Sequence, residues 1–352
     1  MNASLPAKEH FGNPMIEQRK LAAGEAAVTL GGLAILAISG EDRLVWLHSF
    51  LTQNVRGLKA GDSAEALLLD PHGHIEQVFH LIEDGEQTWL IFEGDAEAFA
   101  KWLDRMIFSR KVEVHNRTAE FAVIGKVGAG LDQAETSNGV SLVWQDPWPR
   151  LVAGGVHYAK GAPPRFSWSE SLVANANVAE VFKTLEPAGT MASEALRIAA
   201  HRPSKSGEVD DKALPHEFDW LTTAVHLTKG CYRGQETVAK VHNLGHPPRR
   251  IIFLHLDGSG HDIPNPGDEL FVVEPDGSIG EKARGKVTSV QQHFEMGPIA
   301  LAVVSRTVPE NAALVVRTAF GDVNANQEVL VPADAGKAAN IPAKKLLMGG
   351  GH

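Results

Sequence analysis

Cysteine is nearly missing from this sequence: among 352 residues the only one is Cys231. One thiol closes no intrachain disulfide, and it supplies neither an all-cysteine zinc site nor a four-thiolate iron–sulfur site within the chain. A Cys-x-x-Cys redox motif is excluded. So is a disulfide-stapled secreted scaffold, and a reducing compartment fits best. Long apolar runs are missing too. No stretch approaches the ~18 apolar residues of a membrane-spanning helix. The N-terminal Met-Asn-Ala-Ser-Leu-Pro-Ala-Lys-Glu-His lacks the basic-then-apolar order of a secretory signal. A cytoplasmic protein with no membrane partner is expected. Positive charge is in deficit: 33 basic against 43 acidic side chains give a formal charge of −10. That argues against nucleic acid as a partner, while leaving room for a local basic pocket. The sequence contains neither an internal repeat nor a low-complexity block.

At roughly 100–200 residues per domain the length suggests two or three domains, and 43% hydrophobic with 22% charged residues is ordinary globular usage. Residues 34–38, Ala-Ile-Leu-Ala-Ile, predict a buried strand. Ser39 is placed to cap the helix that follows, in which Leu44, Leu47 and Leu51 recur at helical spacing beside Trp46 and Phe50. Strand-like runs come next at 66–69, 75–82 and 88–92, with turn chemistry at Asp70-Pro71-His72-Gly73 and Asp84-Gly85. A helix begins near Asp95 and carries Phe99, Trp102, Leu103 and Met106 on one face. This order implies an α+β layer on a largely antiparallel sheet.

Pro147, Pro149, Pro163 and Pro164 break any long element in 130–170, and helices are expected at 178–185 and 192–200. The polar stretch 201–217, with Glu208, Asp210 and Asp211, is long for a structureless loop and is expected to be functional or mobile. Beyond Arg249, β-rich runs at 250–256, 269–273, 283–290, 299–304, 313–317 and 327–331 predict a small barrel. The expected division is 28–120, 121–246, 247–335 and a flexible tail at 336–352.

Chemistry concentrates in Lys229-Gly230-Cys231-Tyr232-Arg233-Gly234-Gln235-Glu236. A short strand at 225–228 should lead into it, and a helix from Tyr232 to His242 should leave it. Two glycines bracket the thiol, and glycine permits a tight turn and close approach of a ligand. N–H groups at a helix start, with Lys229 and Arg233 nearby, suit an anion and are the kind of setting that activates a thiol. Gln235 and Glu236 can donate to and accept from a polar heterocycle, and Tyr232 can stack on a ring. Against this, a lone cysteine is most often a small buried hydrophobe. The 16 histidines, His72, His74, His242 and His246 among them, form no convincing metal-ligand set.

The octapeptide resembles the Lys-Gly-Cys-Tyr-x-Gly-Gln-Glu signature of the YgfZ family of folate-binding proteins, relatives of the glycine cleavage T-protein, an aminomethyltransferase. Arg233 takes the variable position. Similar too are Leu47 to Val55, Leu67 to Ile75, Phe108 to Val112, Glu194 to Ile198 and Pro215-His216-Glu217. The likeness covers roughly residues 30–330 and is weakest in 125–190. The chain departs from the T-protein at Leu90-Ile91-Phe92-Glu93, where an Asn is usual. It departs from the family's Ile-Glu-x-Gly-x-Pro at Ile198-Ala199-Ala200-His201-Arg202-Pro203.

The resemblance implies two α+β lobes and a C-terminal β-barrel in a ring around a central folate channel. It implies tetrahydrofolate or a folate derivative as ligand, and iron–sulfur client proteins or assembly factors as partners. It makes Cys231 the thiol that supports iron–sulfur cluster assembly or repair. Lys229, Gly230, Tyr232, Gly234, Gln235, Glu236 and Arg197 become the ligand-binding residues. A folate-dependent aminomethyltransferase is the alternative, and a folate-sensing module without chemistry is a third reading.

Overall fold

The structure is a computed structural model that describes residues 6–159, 161, 164, 166–259 and 263–338. Pro163 and, from residue 339 on, the expected tail lie outside the described residues. Strands Ser63–Leu69, Ile75–Glu83, Gln87–Glu93, Leu33–Ser39 and Glu113–Asn116 form a first sheet in that order, every pair antiparallel. Side chains alternate between faces along a strand, and both faces of this sheet are covered. Ala34, Leu36 and Ile38 pack with Trp46 and Leu47 of the Arg43–His48 helix. Ile35 and Ala37 pack with Val123, Leu172 and Trp168 of a second sheet. That double burial is why the strand appears in sequence as an unbroken apolar run. Ser39 does not cap the helix. It ends the strand, and the helix begins after Asp42, whose side chain makes no capping bond. Helix Ala96–Asp104 is capped by Asp95, whose carboxylate accepts from the N–H groups of Glu97 and Ala98.

The second sheet runs Val143–Gln145, Trp168–Ala174, Phe121–Val127, Ala26–Leu30, Glu186–Ala188. Ala26–Leu30 precedes the first sheet along the chain yet pairs in the second, antiparallel to Phe121–Val127 and parallel to Glu186–Ala188. The boundary expected at residue 28 therefore falls inside a strand. Helix Thr190–Ala199 lies near its expected place, while Val178–Val181 is only one turn of the longer helix expected there.

Arg249–Leu256, Gly297–Ser305, Gly285–His293, Glu269–Val272, Leu314–Arg317 and Asp322–Val329 form a closed six-stranded barrel. Closure is made by Arg249–Leu256 against Asp322–Val329. Ile252, Leu254, Val287, Ala302 and Val316 fill its interior. Ile251, Phe253, Leu301 and Val303 pack outward on Phe218, Trp220 and Leu221.

The stretch 201–217 is a joint. Glu208 accepts from Arg197 Nη1 at 3.0 Å, the Ser204 N–H at 2.7 Å and the hydroxyls of barrel residues Thr288 and Ser289 at 3.0 and 2.6 Å. Asp210 pairs with Arg249, the first barrel residue, at 2.6 Å. Glu208 thus staples the second sheet's helix to the barrel, and Asp210 ties the stretch to the barrel's first residue. Among the described residues no helix is long and apolar enough to cross a membrane.

Candidate functional site

Two candidate places stand out, and they are separate. The first is the octapeptide. No strand forms at 225–228, because its N–H groups go singly to different loops: His226 to the Thr52 carbonyl at 3.0 Å and Leu227 to the Gly154 carbonyl at 2.9 Å. The helix starts later than expected, at Gln235–Leu244. Cys231 therefore lies in the turn ahead of the helix, not on its first N–H groups. The thiol is exposed and has no hydrogen-bond partner among the described residues.

Lys229 turns inward. Its ammonium donates to the carbonyls of His48 at 2.6 Å, Leu51 and Gln53 at 3.3 Å, all in or just after the Arg43–His48 helix. Carbonyls at a helix C-terminus attract cations, so this side chain is a latch onto the first lobe and has little left for an anionic ligand. Burial lowers it from 10.5 to about 8. Tyr232 is also buried, its ring 5.1 Å from the Lys229 ammonium. Arg233 pairs with Glu76 at 2.8 Å.

Gly234 caps the helix at φ +80°, and a Cβ there would lie 2.7 Å from the Asp70 carbonyl oxygen. Only glycine lets the loop sit this close to the Asp70-Pro71-His72-Gly73 turn. Gln235 donates to the Lys229 carbonyl at 3.4 Å. Glu236 is exposed in the first helical turn, and a Cβ on Gly230 would meet nothing.

The second place is a cavity of about 400 Å³ between the two sheets, closed on one side by the Thr190–Ala199 helix and residues 202–206. None of the octapeptide lines it; of the residues expected to bind the ligand, only Arg197 does. Its guanidinium is fully engaged. Nε bonds Glu194, Nη1 bonds the Arg202 carbonyl and Glu208, and Nη2 bonds Glu194 and Ser289. With five N–H donors in all, Arg197 has none free to grip a ligand carboxylate, and it serves instead as a tie between helix and barrel.

The cavity's other polar residues have no role in the sequence reading. His80 and Glu65 are cross-strand partners in the first sheet. His80 stacks on Trp144 of the second sheet, ring centroids 3.6 Å apart and planes within 2°. Its Nδ1 lies 2.7 Å from Glu170 Oε2, and the same carboxylate's other oxygen accepts from Trp168 Nε1 at 3.2 Å. Burial pulls the imidazole down, but the Glu170 charge and hydrogen bond outweigh it, and His80 is held above its ordinary 6.5. Arg202 donates to Glu65 at 2.6 Å and Asp146 at 3.1 Å and lies over Trp148 at 4.8 Å. Glu65 also accepts from Trp220 at 3.0 Å and Thr223 at 2.5 Å. A signal was available: Glu65 borders the apolar run 66–69, and Glu170 sits inside a strand-like stretch. A lone acid in a buried strand must find a partner.

No protein-family profile matches the chain. It is 26% identical over 302 residues to a chloroplastic protein of Arabidopsis thaliana, an alignment covering 78% of this chain but 65% of that relative. It is 26% identical over 326 residues to the tRNA-modifying protein YgfZ of Edwardsiella ictaluri, covering 86% and 92% of the two chains. The Colwellia psychrerythraea protein of that name is 22% identical over 275 residues, covering 76% and 81%. Among solved structures, the glycine cleavage system aminomethyltransferase T of Bartonella henselae superposes with a TM-score of 0.69 at 16% identity, covering 91% of this chain and 89% of that one. In sequence the chain is similar to YgfZ proteins, and in fold it is similar to the glycine cleavage T-protein. The mixed α+β fold and closed barrel are those of the T-protein. In this chain the octapeptide and the cavity are different surfaces, which the resemblance in sequence did not separate.

Proposed function

We propose that this chain is a cytoplasmic tetrahydrofolate-binding protein that holds its ligand in the cavity and uses the exposed thiol of Cys231 to support iron–sulfur cluster assembly or repair. The observation that carries the folate reading is the make-up of the cavity. About 400 Å³ is within the ordinary range for small-molecule sites, roughly 300–1,000 Å³. One wall is aromatic, from Trp144, Trp168 and Phe166, and the polar groups include the carboxylates of Glu65, Asp146, Glu170 and Glu194. A flat heterocycle rich in N–H donors fits that combination: the aromatic wall covers its face and the carboxylates accept at its edge. When bound, tetrahydrofolate supplies one-carbon chemistry. The chain's own part is to bind it, exclude water and fix its orientation.

Cys231 is reachable by a partner protein and does not line the cavity, so thiol and ligand act in separate places. The relatives' name brings tRNA modification to this chain as a supporting role, since a formal charge of −10 offers no broad field for a polyanion. Anaerobic calorimetric titration with tetrahydrofolate tests the binding half: saturable binding is expected, and its absence from folded protein would sink the reading. The fold shared with an aminomethyltransferase supports the second reading, a folate-dependent transferase. That reading predicts formation of methylene-tetrahydrofolate from an aminomethyl donor, with full turnover by Cys231→Ala. The three-part division at 120 and 246 is likewise a proposal, which limited proteolysis with mass mapping of the fragments would test.

A further inference from the structure

The cavity holds one ionisable group whose surroundings fix it completely on one side and leave it open on the other. The His80 ring cannot rotate freely, because Trp144 covers its face at 3.6 Å in a parallel stack. Its Nδ1 is taken by Glu170 at 2.7 Å. Its Nε2 has no hydrogen-bond partner among the described residues. The side chain is 23% exposed while its carboxylate partner is 7% exposed, and both line the cavity. A carboxylate on one imidazole nitrogen orients the ring and stabilises its doubly protonated form. Burial opposes that form and Glu170 overcomes it. The charged groups facing the ring are Glu170 and Glu65 from the two sheets, Asp146 from the segment after Val143–Gln145, and Arg202 from the loop after the Thr190–Ala199 helix. Arg202 is engaged with Glu65 and Asp146, so the local balance favours a cation at His80.

We propose that His80 is the cavity's ligand-facing donor: its Nε2–H binds an acceptor atom, a ring nitrogen or carbonyl oxygen, of the bound heterocycle, and the ligand is held most tightly when the ring carries both protons. This rests on the folate reading and adds to it a named donor and a pH dependence. Glu170 is the positioning residue. Trp144 orients the imidazole by stacking on it.

The probe is 5-formyltetrahydrofolate, titrated calorimetrically from about pH 6 to about pH 9, where histidine changes charge. Wild type should bind more weakly as pH rises through the His80 value. His80→Gln should bind about tenfold more weakly at neutral pH, the loss expected for one charge-assisted hydrogen bond, and its affinity should be flat with pH. Wild type titrated in two buffers of different ionisation enthalpy should show proton uptake on binding at the alkaline end, a readout that needs no variant to fold. An unchanged pH profile in His80→Gln, or binding by wild type without proton uptake at any pH, overturns the assignment and leaves the folate reading standing. Failure of folded wild type to bind the probe at every pH overturns both.

Discussion

In the cavity, charged side chains face one another inside the protein, whereas at the octapeptide the main chain does the holding and the charges face outward or are drawn off. Arg202, Glu65, Asp146, His80 and Glu170 come from five separated stretches of sequence and meet only when two sheets close on each other. Lys229 to Glu236 are consecutive, and their anchors are backbone carbonyls at 48, 51 and 53 and the tight approach of Gly234 to Asp70. A consecutive segment can be spotted as a motif, but its carbonyl partners carry no side-chain signal. A dispersed cluster has distinctive side chains but no motif. The buried ions tie the two sheets and residues 201–217 together, whereas the exposed thiol bonds to nothing among the described residues.

The largest test of that contrast is to remove an ion from each region. Arg202 is buried against two buried carboxylates, and removing one partner of such a cluster leaves the others charged and unpaired. Arg202→Met should cost about 3–5 kcal/mol in urea unfolding. Arg233→Ala removes a half-exposed pair with Glu76 and should cost less than about 1 kcal/mol. Equal losses would mean that the octapeptide face is buried in solution.

The first lobe and the barrel were legible in sequence because their strands are short, apolar and separated by Gly or Pro turns. The second sheet was not. Trp168–Ala174 carries buried Ser169, Glu170 and Ser171, which breaks the alternation that marks a strand. Ala26–Leu30 pairs with residues about 95 and 160 positions away in sequence, partners no local pattern specifies. The octapeptide stands out in sequence, but its geometry does not follow from it. The expected helix began at Tyr232, whereas Gly234 at positive φ ends the turn there and delays the helix. Arg197 was visible on its helix, yet nothing in sequence showed that Glu194, Glu208, Ser289 and the Arg202 carbonyl would take every donor it has.

Within the octapeptide the two glycines should differ. Gly234→Ala forces a left-handed φ on a side chain that would also press 2.7 Å from the Asp70 oxygen, and a loss of about 1–3 kcal/mol is expected. Gly230→Ala meets nothing within 4 Å and should stay within about 0.5 kcal/mol of wild type. Thermal or urea unfolding of the pair decides whether contact with the first lobe sets the loop.

The two regions should also respond to pH with opposite sign. His80 is raised above 6.5 in the fold, so its contribution is full below 6.5 and is lost as pH climbs through the folded value. Burial lowers Lys229 from 10.5 to about 8, so between those values the unfolded chain binds more protons and this group makes stability rise with pH. His80→Gln should remove the alkaline loss and Lys229→Met the alkaline gain. Urea midpoints at closely spaced pH values would show it, and changes of the same sign from both variants would contradict the contrast.

The smallest expected effect on the fold belongs to Cys231. Its side chain is exposed, bonds to nothing among the described residues and lies outside the cavity. Cys231→Ser should therefore leave the unfolding midpoint within about 0.5 kcal/mol of wild type and leave folate affinity unchanged. If the thiol is the working group, the same protein should fail to restore iron–sulfur enzyme activity in cells lacking the wild type. Loss of folding or of folate binding would instead place the thiol inside the framework that the cavity and barrel form. One thiol per chain cannot hold a cluster unaided, so loss of activity with binding intact would point to a transient encounter, with the client or a second chain supplying the remaining ligands.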